Sequence, residues 1–380
     1  MVSGRSKVQA AFSPAGAPEI PAVIPYEGIF IRDHWRELTA CPWWYAESPD
    51  LAHQLAWRRD VITAIGQDWC EAPSTFARDE RDHLVIEERG GELFRVDRRT
   101  AEEEHLRPPV VSGWGADGLA PVRPEYLPAT HDEIDRAIPL DLEPDLARLR
   151  SGGSADLAIS LFEGHARDLC PIRSVGAPLW ETYYVWGFEG MMTMIARRPE
   201  LVEYACQRNL QRAFHTIRRS AALGARVIWI EDCMTDMISP RAYAALNLPF
   251  LRQVVAAIRA AGMRSIHYFC GSPAGKWDHL LAAGADALSF EESKKGFVID
   301  IEEVVARVEG RCTLLGNLDA VGMLQGGSDE ELRAEIARQI AAGRRNGGRF
   351  IMSLGSPVTP ETPVARVRLY CDLTHELGKG

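Results

Sequence analysis

From residue 226 onward the chain alternates short apolar, β-branched runs with longer amphipathic stretches. The runs predict strands at 226–230, 263–269, 285–290, 312–315 and 349–352. The stretches between them predict helices at 240–261, 276–283, 301–309, 329–345 and 363–377. Strands that alternate with helices form a parallel sheet with right-handed crossovers. This half of the chain therefore predicts an α/β fold.

The first half is less regular but fits the same architecture. It predicts a strand at 23–30, helices at 49–65, 131–150 and 198–223, and a β-hairpin at 83–99. Seven or eight strand–helix units predict one (β/α)8 TIM barrel over residues 17–380 with this hairpin inserted, and a loose N-terminal extension at 1–16. The alternative is an open doubly wound sheet. No G-x-G-x-x-G follows a strand to support it.

Composition excludes several classes of protein. The 380 residues carry 43 basic and 53 acidic side chains, a net charge of −10, which argues against a nucleic-acid partner. No stretch approaches the ~20 apolar residues of a membrane span. The 8 cysteines lack paired spacing, which indicates a reduced, cytoplasmic protein. We expect a small-molecule substrate and, as the commonest assembly, a homodimer.

Polar residues follow each of the five runs. In a barrel, catalytic groups lie at the carboxyl ends of the strands. Four of these residues are predicted to act on the substrate, although a capping or turn role is an open alternative for Asp232 and Asp319. The four are Glu231, Asp232, Asn317 and Asp319.

A second group of polar residues has the chemistry of a zinc site. A thiolate and an imidazole at one strand end, His267 and Cys270, form half of such a site, and Glu291 supplies a third ligand. The fourth position would stay open for a thiol or water. Because strand residues i and i+2 share a face, this set converges only if the strand bends before Cys270. A buried histidine and an inert cysteine are the alternative.

Aromatic clusters predict a stacking wall for a flat ligand. Trp180 and Tyr183, with Ser356 at the last strand end, are the candidates for cofactor binding. The alternative for the aromatic residues is core packing, where such side chains contribute much of the buried area.

Several segments, in this order and spacing, resemble the uroporphyrinogen decarboxylase superfamily, which includes corrinoid-linked methyltransferases. The resemblance implies a (β/α)8 barrel with its pocket at the strand carboxyl ends. The segments are G-A-P at 176–178, E-D at 231–232, H-Y-F-C-G at 267–271, G-N-L-D at 316–319 and G-S-P-V-T-P-E-T-P at 355–363.

The chain departs from both branches of that superfamily. True decarboxylases carry an F-R-Q-A-G-R-Y-type segment whose arginines hold the substrate carboxylates, whereas residues 24–30 read I-P-Y-E-G-I-F. Porphyrinogen decarboxylation is therefore disfavoured. The methyltransferases hold zinc with an H-x-C pair and a later cysteine. Here His267 lies one place early, and Ser356 stands in place of the late cysteine.

Three functions follow from the resemblance. The first is a methyltransferase that moves a methyl group between a corrinoid and a small thiol or methyl donor, with zinc and cobalamin as implied cofactors and a corrinoid protein as a partner. The second is a metal-free decarboxylase or lyase with Glu231 or Asp232 as proton donor. The third is a non-catalytic tetrapyrrole or corrinoid binder.

Overall fold

A computed structural model describes residues 2–112, 122–140, 142, 146–294 and 296–379. Its strands are β1 Trp69–Glu71, β2 Leu84–Arg89, β3 Glu92–Asp97, β4 Glu103–Leu106, β5 Cys170–Gly176, β6 Val227–Asp232, β7 Arg264–Phe269, β8 Ala287–Phe290, β9 Thr313–Leu315 and β10 Phe350–Ile351. Seven of them form one sheet in the order β1-β5-β6-β7-β8-β9-β10, and every pair in it is parallel. The α/β prediction is confirmed.

The helices precede, separate and follow these strands along the chain. They are α1 Gly4–Ala11, α2 Glu27–Asp33, α3 Trp35–Leu38, α4 Leu51–Ile65, α5 Arg78–Arg81, α6 His131–Ala137, α7 Arg148–Ser151, α8 Asp156–Glu163, α9 Tyr183–Arg197, α10 Pro199–Ala222, α11 Pro240–Leu246, α12 Leu248–Ala260, α13 Trp277–Ala282, α14 Ile301–Val308, α15 Asp329–Arg345 and α16 Val364–Leu377. No helix in the described ranges is both long and apolar enough to cross a membrane.

The regular half of the chain matches its prediction closely. All five runs form strands, β6 to β10, and the predicted helix at 240–261 is divided at Asn247 into α11 and α12. The predicted hairpin is also confirmed, because β2 pairs antiparallel with β3, and β4 adds a third strand. The predicted helix at 131–150 is only partly present, as α6 and α7, and residues 141 and 143–145 lie outside the described ranges.

The predicted strand at 23–30 is wrong, because residues from Glu27 onward form α2. A short extended segment just before it occupies the gap between the two edge strands of the sheet. Val23 donates its backbone N–H to the Met352 carbonyl at 3.0 Å, and Asp68 donates to the Ala22 carbonyl at 2.8 Å. Residues 21–23 therefore connect the β10 edge to the β1 edge.

Half of the segment predicted as a loose arm at 1–16 forms the helix α1. In α1, Val8 and Ala11 are fully buried. Lys7 pairs with the buried Asp68 carboxylate at 3.3 Å, and His375 of α16 contacts the same carboxylate at 2.7 Å. The Ala22 backbone N–H also donates to it at 2.8 Å. Asp68 thus joins both ends of the chain to the first strand.

Replacing Asp68 with alanine should lower the free energy of unfolding by about 3–5 kcal/mol, because it leaves Lys7 buried without its partner. Urea denaturation would measure the change. Asp372→Ala is the matched control, since it removes an exposed i,i+4 pair with Arg368 and should cost at most about 0.5 kcal/mol. Equal losses in the two variants would contradict the anchoring role of Asp68.

Candidate functional site

A cavity of about 350 Å³ opens at the carboxyl ends of β1, β5 and β6. We call it the mouth cavity. Trp69 and Glu71 reach it from β1, and Trp229 and Glu231 reach it from β6. Alternation along β6 explains this, because residues 229 and 231 share the inner face of the strand. Of the four predicted catalytic residues, only Glu231 lines this cavity.

Aromatic rings form an apolar wall of the mouth cavity. Trp229 stacks on Tyr268 of β7, with ring centroids 5.0 Å apart, and Tyr26 packs edge-on against Trp229 at 5.9 Å. Trp69 meets Trp229 edge-on at 6.1 Å. The wall excludes water from one side of Glu231, which makes its ionisation costly.

Glu231 has the protonation behaviour of a general acid. Burial, followed by the nearby carboxylates of Glu181 and Glu71, raises the pKa of Glu231 to about 7. A carboxyl with a pKa near neutrality can hold a proton at neutral pH and release it to a substrate.

The carboxylates around Glu231 were missed by sequence reasoning. Burial raises the pKa of Glu27 to about 7, although that side chain accepts hydrogen bonds from Gln67 and the Glu71 backbone. Burial also raises the pKa of Glu181. Glu181 lies against Gly176 at the end of β5, where a Cβ would meet its Oε1 at 1.8 Å. Glu71 ends β1, but this strand is only three residues long and gives little sequence signal.

Asp232 faces away from the mouth cavity, toward the helices outside the sheet. Its carboxylate accepts from Thr235 at 2.7 Å, from Tyr243 and Asn247 at 2.9 Å each, and from His267 Nε2 at 3.0 Å. Asp232 and His267 are fully buried. Four donors surround the carboxylate, so the contacts favour the structural alternative for Asp232, and its predicted role toward a substrate has no supporting contact.

The predicted zinc ligands are not assembled. His267 shares its side of β7 with Ser265 and Phe269, and its Nε2 proton is committed to Asp232. Within the described ranges, no three His, Cys, Asp or Glu side chains come together as a metal site. The set His267, Cys270 and Glu291 therefore does not fit a zinc ion, and no step is derived through one.

A lysine supplies positive charge where the metal was expected. Lys294 Nζ lies 2.7 Å from Glu291 and 3.4 Å from Glu292, and it contacts the Ser356 hydroxyl. Ser356 in turn donates to Glu292 at 2.8 Å. Burial opposes the charge of Lys294, but pairing with the two carboxylates outweighs it and raises the pKa of the lysine. Ser356, predicted to bind cofactor, is thus part of an ion-pair network.

Cys270 lies beside a second cysteine rather than beside His267. The buried Cys233 and the half-buried Cys270 are both free thiols. The hydrogen bond with Cys270, followed by burial, raises the pKa of the Cys233 thiol. Cys233 therefore stays protonated near neutral pH and is a weak nucleophile.

The remaining predicted site residues have structural contacts. Asn317 donates to the backbone carbonyls of Glu291 at 3.1 Å and Ile299 at 2.8 Å. Asp319 caps the following turn by accepting from the Val321 and Gly322 backbone N–H groups at 2.9 Å each.

Trp180 and Tyr183, the predicted cofactor-binding pair, stack on each other with centroids 5.1 Å apart. Neither residue lines the mouth cavity. A stacking role toward a ligand there stays a prediction without a supporting contact.

A parallel sheet with acidic side chains at the carboxyl ends of its strands is the arrangement found in α/β enzymes. The model of the family described as Uroporphyrinogen decarboxylase (URO-D) matches residues 158–377. The chain belongs to this family. Its match begins in α8 and includes every strand from β5 to β10.

Curated relatives carry the same family name at low identity. The uroporphyrinogen decarboxylase of Neisseria meningitidis is 27% identical over 195 residues, which are 50% of this chain and 53% of that protein. The chain thus spans about half the length of this relative. The uroporphyrinogen decarboxylase of Burkholderia thailandensis is 25% identical over 299 residues, 75% of this chain and 79% of that protein.

A solved structure shares the fold over nearly the whole chain. It is a methyltransferase from Methanosarcina mazei, with a TM-score of 0.68, 14% identity and coverage of 99% of both chains. At this identity the similarity shows the fold.

Asp232→Asn should lower the free energy of unfolding by about 2–4 kcal/mol, because an amide nitrogen cannot accept and would leave at least one buried donor unpaired. Asp319→Asn is the matched control, since asparagine caps a turn about as well as aspartate. Chemical denaturation would compare the two variants. A cost below about 0.5 kcal/mol for Asp232→Asn would contradict the structural role.

Protein purified without chelator should contain far less than one equivalent of zinc, because Lys294 already pairs with the carboxylates near Cys270. Elemental analysis of the wild type beside Cys270→Ala would measure this. Close to one equivalent of zinc in the wild type, lost in the variant, would show that a metal site forms despite the separation of His267 from Cys270.

Proposed function

We propose that the chain is an enzyme in which Glu231 acts as the general acid toward a small substrate in the mouth cavity. The observation that carries the proposal is the pKa of Glu231, raised to about 7 by burial and by neighbouring carboxylates. A cavity of about 350 Å³ suits a small molecule. General acid catalysis of this kind accelerates reactions about 10²–10⁴-fold.

The reaction that we propose is methyl transfer from a small donor. The bond between the methyl carbon and its heteroatom breaks, the heteroatom leaves with the bonding electrons, and Glu231 gives it a proton. The methyl group passes to an acceptor, and the resemblance to corrinoid-linked methyltransferases makes a reduced corrinoid the proposed acceptor. Transfer to a thiol has less support, because the described residues assemble no zinc site that would activate that thiol.

The corrinoid would be presented from outside the barrel. The mouth cavity has room for a small donor but not for an enclosed macrocycle. We therefore propose a separate corrinoid protein as the partner, and Glu231, Tyr26 and Trp229 as the residues that face the donor. The cavity offers the donor an apolar surface and a proton.

Decarboxylation is the second candidate, and the names of the curated relatives favour it. The carbon–carboxylate bond would break with release of CO2, and Glu231 would protonate the carbon that keeps the electron pair. Asp232 is not proposed as the donor, since four hydrogen bonds already engage its carboxylate.

We also propose that the sheet closes into the (β/α)8 barrel expected from the resemblance. The support is residues 21–23, whose backbone hydrogen bonds reach Met352 on one side and Asp68 on the other. They would occupy the position of the eighth strand of the barrel.

Glu231→Gln should lower kcat by about 10²–10⁴-fold, because glutamine has no acidic proton to give. In the wild type, kcat/KM should be high below about pH 7 and fall as the pH rises through the pKa of Glu231, since only the protonated form acts. A panel of small methyl ethers and methylamines with reduced cobalamin would test this, with turnover followed by loss of the reduced cobalamin absorbance.

Two further variants make the assignment specific. Glu181→Gln removes a carboxylate that raises the pKa of Glu231, so the midpoint of the pH profile should move to lower pH. Glu330→Gln, exposed in the first turn of α15, should leave both rate and profile unchanged. An active Glu231→Gln enzyme with an unaltered profile would refute the acid role. Release of CO2 from a panel of carboxylates, without methyl transfer, would favour the second candidate.

A further inference from the structure

A second, larger cavity adjoins the mouth cavity. It has a volume of about 560 Å³, and we call it the side cavity. Both cavities are lined by Glu27, Arg32, Trp69, Glu71 and Arg173, so they share a wall. The volume falls in the range of about 300–1,000 Å³ that is typical of small-molecule sites.

The side cavity has aromatic walls. Four tryptophans line it, with Ile31, Val61 and Ile65 between them. Indole Nε1 atoms of two of the tryptophans are satisfied by the protein, Trp35 by the Cys41 carbonyl at 2.8 Å and Trp69 by the Ile24 carbonyl at 3.1 Å. Walls of this composition favour a flat, apolar ligand, because aromatic rings stack in offset or edge-on arrangements. The four tryptophans are Trp35, Trp43, Trp57 and Trp69.

Two buried hydrogen-bond donors on residues that line this cavity have no partner in the described part of the chain. Trp57 is 7% exposed, and its Nε1 is buried without a partner. The Nε of Arg173 is also buried without a partner, although its Nη1 pairs with Glu71 at 3.1 Å. A buried donor left unpaired costs about 1–3 kcal/mol, so an occupant that accepts hydrogen bonds is favoured.

Arg58 adds a positive charge that has no direct ion pair among the described residues. Its guanidinium stacks over the Trp57 ring at 4.0 Å and donates to the carbonyl of Gln54 at 2.9 Å. Across the described part of the chain, no carboxylate lies within the 4.0 Å of an ion pair with it. Burial lowers the pKa of Arg58 to about 10, although the nearby Cys70, Glu71 and Glu27 favour its charged form.

The carboxylates that line the side cavity are already engaged. Glu27 accepts from Gln67 at 2.5 Å and from the Glu71 backbone at 2.7 Å. Glu71 pairs with Arg173, and Glu47 pairs with Arg95 at 3.3 Å. The direct contacts of these carboxylates are therefore made to other groups, and the guanidinium of Arg58 is left to pair with an anionic ligand.

From the side cavity's apolar aromatic walls and its unpaired donors, we infer that it binds a flat aromatic molecule with a carboxylate, the ring between the tryptophans and the carboxylate on Arg58. That this ligand is the substrate rests on the proposed function, because the shared wall would carry the other end of the molecule toward Glu231. The binding itself does not depend on any reaction.

Isothermal titration calorimetry with 2-naphthoate tests the inference on the full chain. The control ligand is 2-naphthamide, which has the same rings without the charge and should bind about tenfold more weakly or worse. Arg58→Gln should weaken naphthoate binding by a similar factor. Arg59→Gln is the matched control, since Arg59 is the next residue on α4, is exposed and pairs with Asp60. It should bind like the wild type.

Each outcome decides the inference. Equal affinity for naphthoate and naphthamide, equal losses in the two arginine variants, or no saturable binding would overturn it. Should Arg58→Gln fail to fold, Trp57→Phe removes the indole N–H but keeps a ring, and the comparison of acid with amide on the wild type still decides. Naphthoate binding is measured without turnover, so a wild type that binds naphthoate while Glu231→Gln keeps its activity would contradict the acid role alone, and the two failures are distinguishable.

Discussion

The hydrogen-bond cluster around Asp232 fixes the geometry on which the mouth cavity depends. It joins β6 and β7 to α11 and to the residue between α11 and α12. Because side chains alternate along a strand, holding Asp232 on the outer face directs Glu231 to the inner face. The same alternation places His267 outside and Tyr268 inside. The buried carboxylate of Asp232 thus fixes which side chains of β6 and β7 face the mouth cavity.

Charge balance differs between the two groups of carboxylates at the carboxyl edge of the sheet. Two carboxylates at the end of β8, Glu291 and Glu292, have the ammonium of Lys294 as their counter-ion. A metal ion at this position would have to displace that ammonium group or bind against its electrostatic repulsion. Around Glu231, burial and the negative charges of Glu181 and Glu71 all oppose ionisation. Ionisation is therefore costly, and with a pKa of about 7 the carboxyl keeps its proton in a substantial fraction of molecules at neutral pH.

The sequence predicted the regular half of the fold because each strand and helix there has its own local signal. The apolar runs for β6 to β10 are visible in single segments of the sequence. The first half was harder, because β1 is three residues long and residues 21–23 form no regular strand. The loose-arm prediction failed for a related reason, since the pairing of Lys7 with Asp68 joins residues far apart in the chain.

The site was predicted in part, since strand ends identify positions but not directions. Glu231 and Asp232 are adjacent, both acidic and both at the end of β6, yet they face opposite sides of the sheet. Arg58 and Arg173 come from α4 and β5, and no spacing in the sequence connects them. Both arginines line the side cavity. Arg173 borders both cavities and pairs with Glu71, one of the carboxylates that raise the pKa of Glu231. An anion that draws Arg173 away from Glu71 would leave the negative charge of Glu71 less neutralised. The pKa of Glu231 would then rise further.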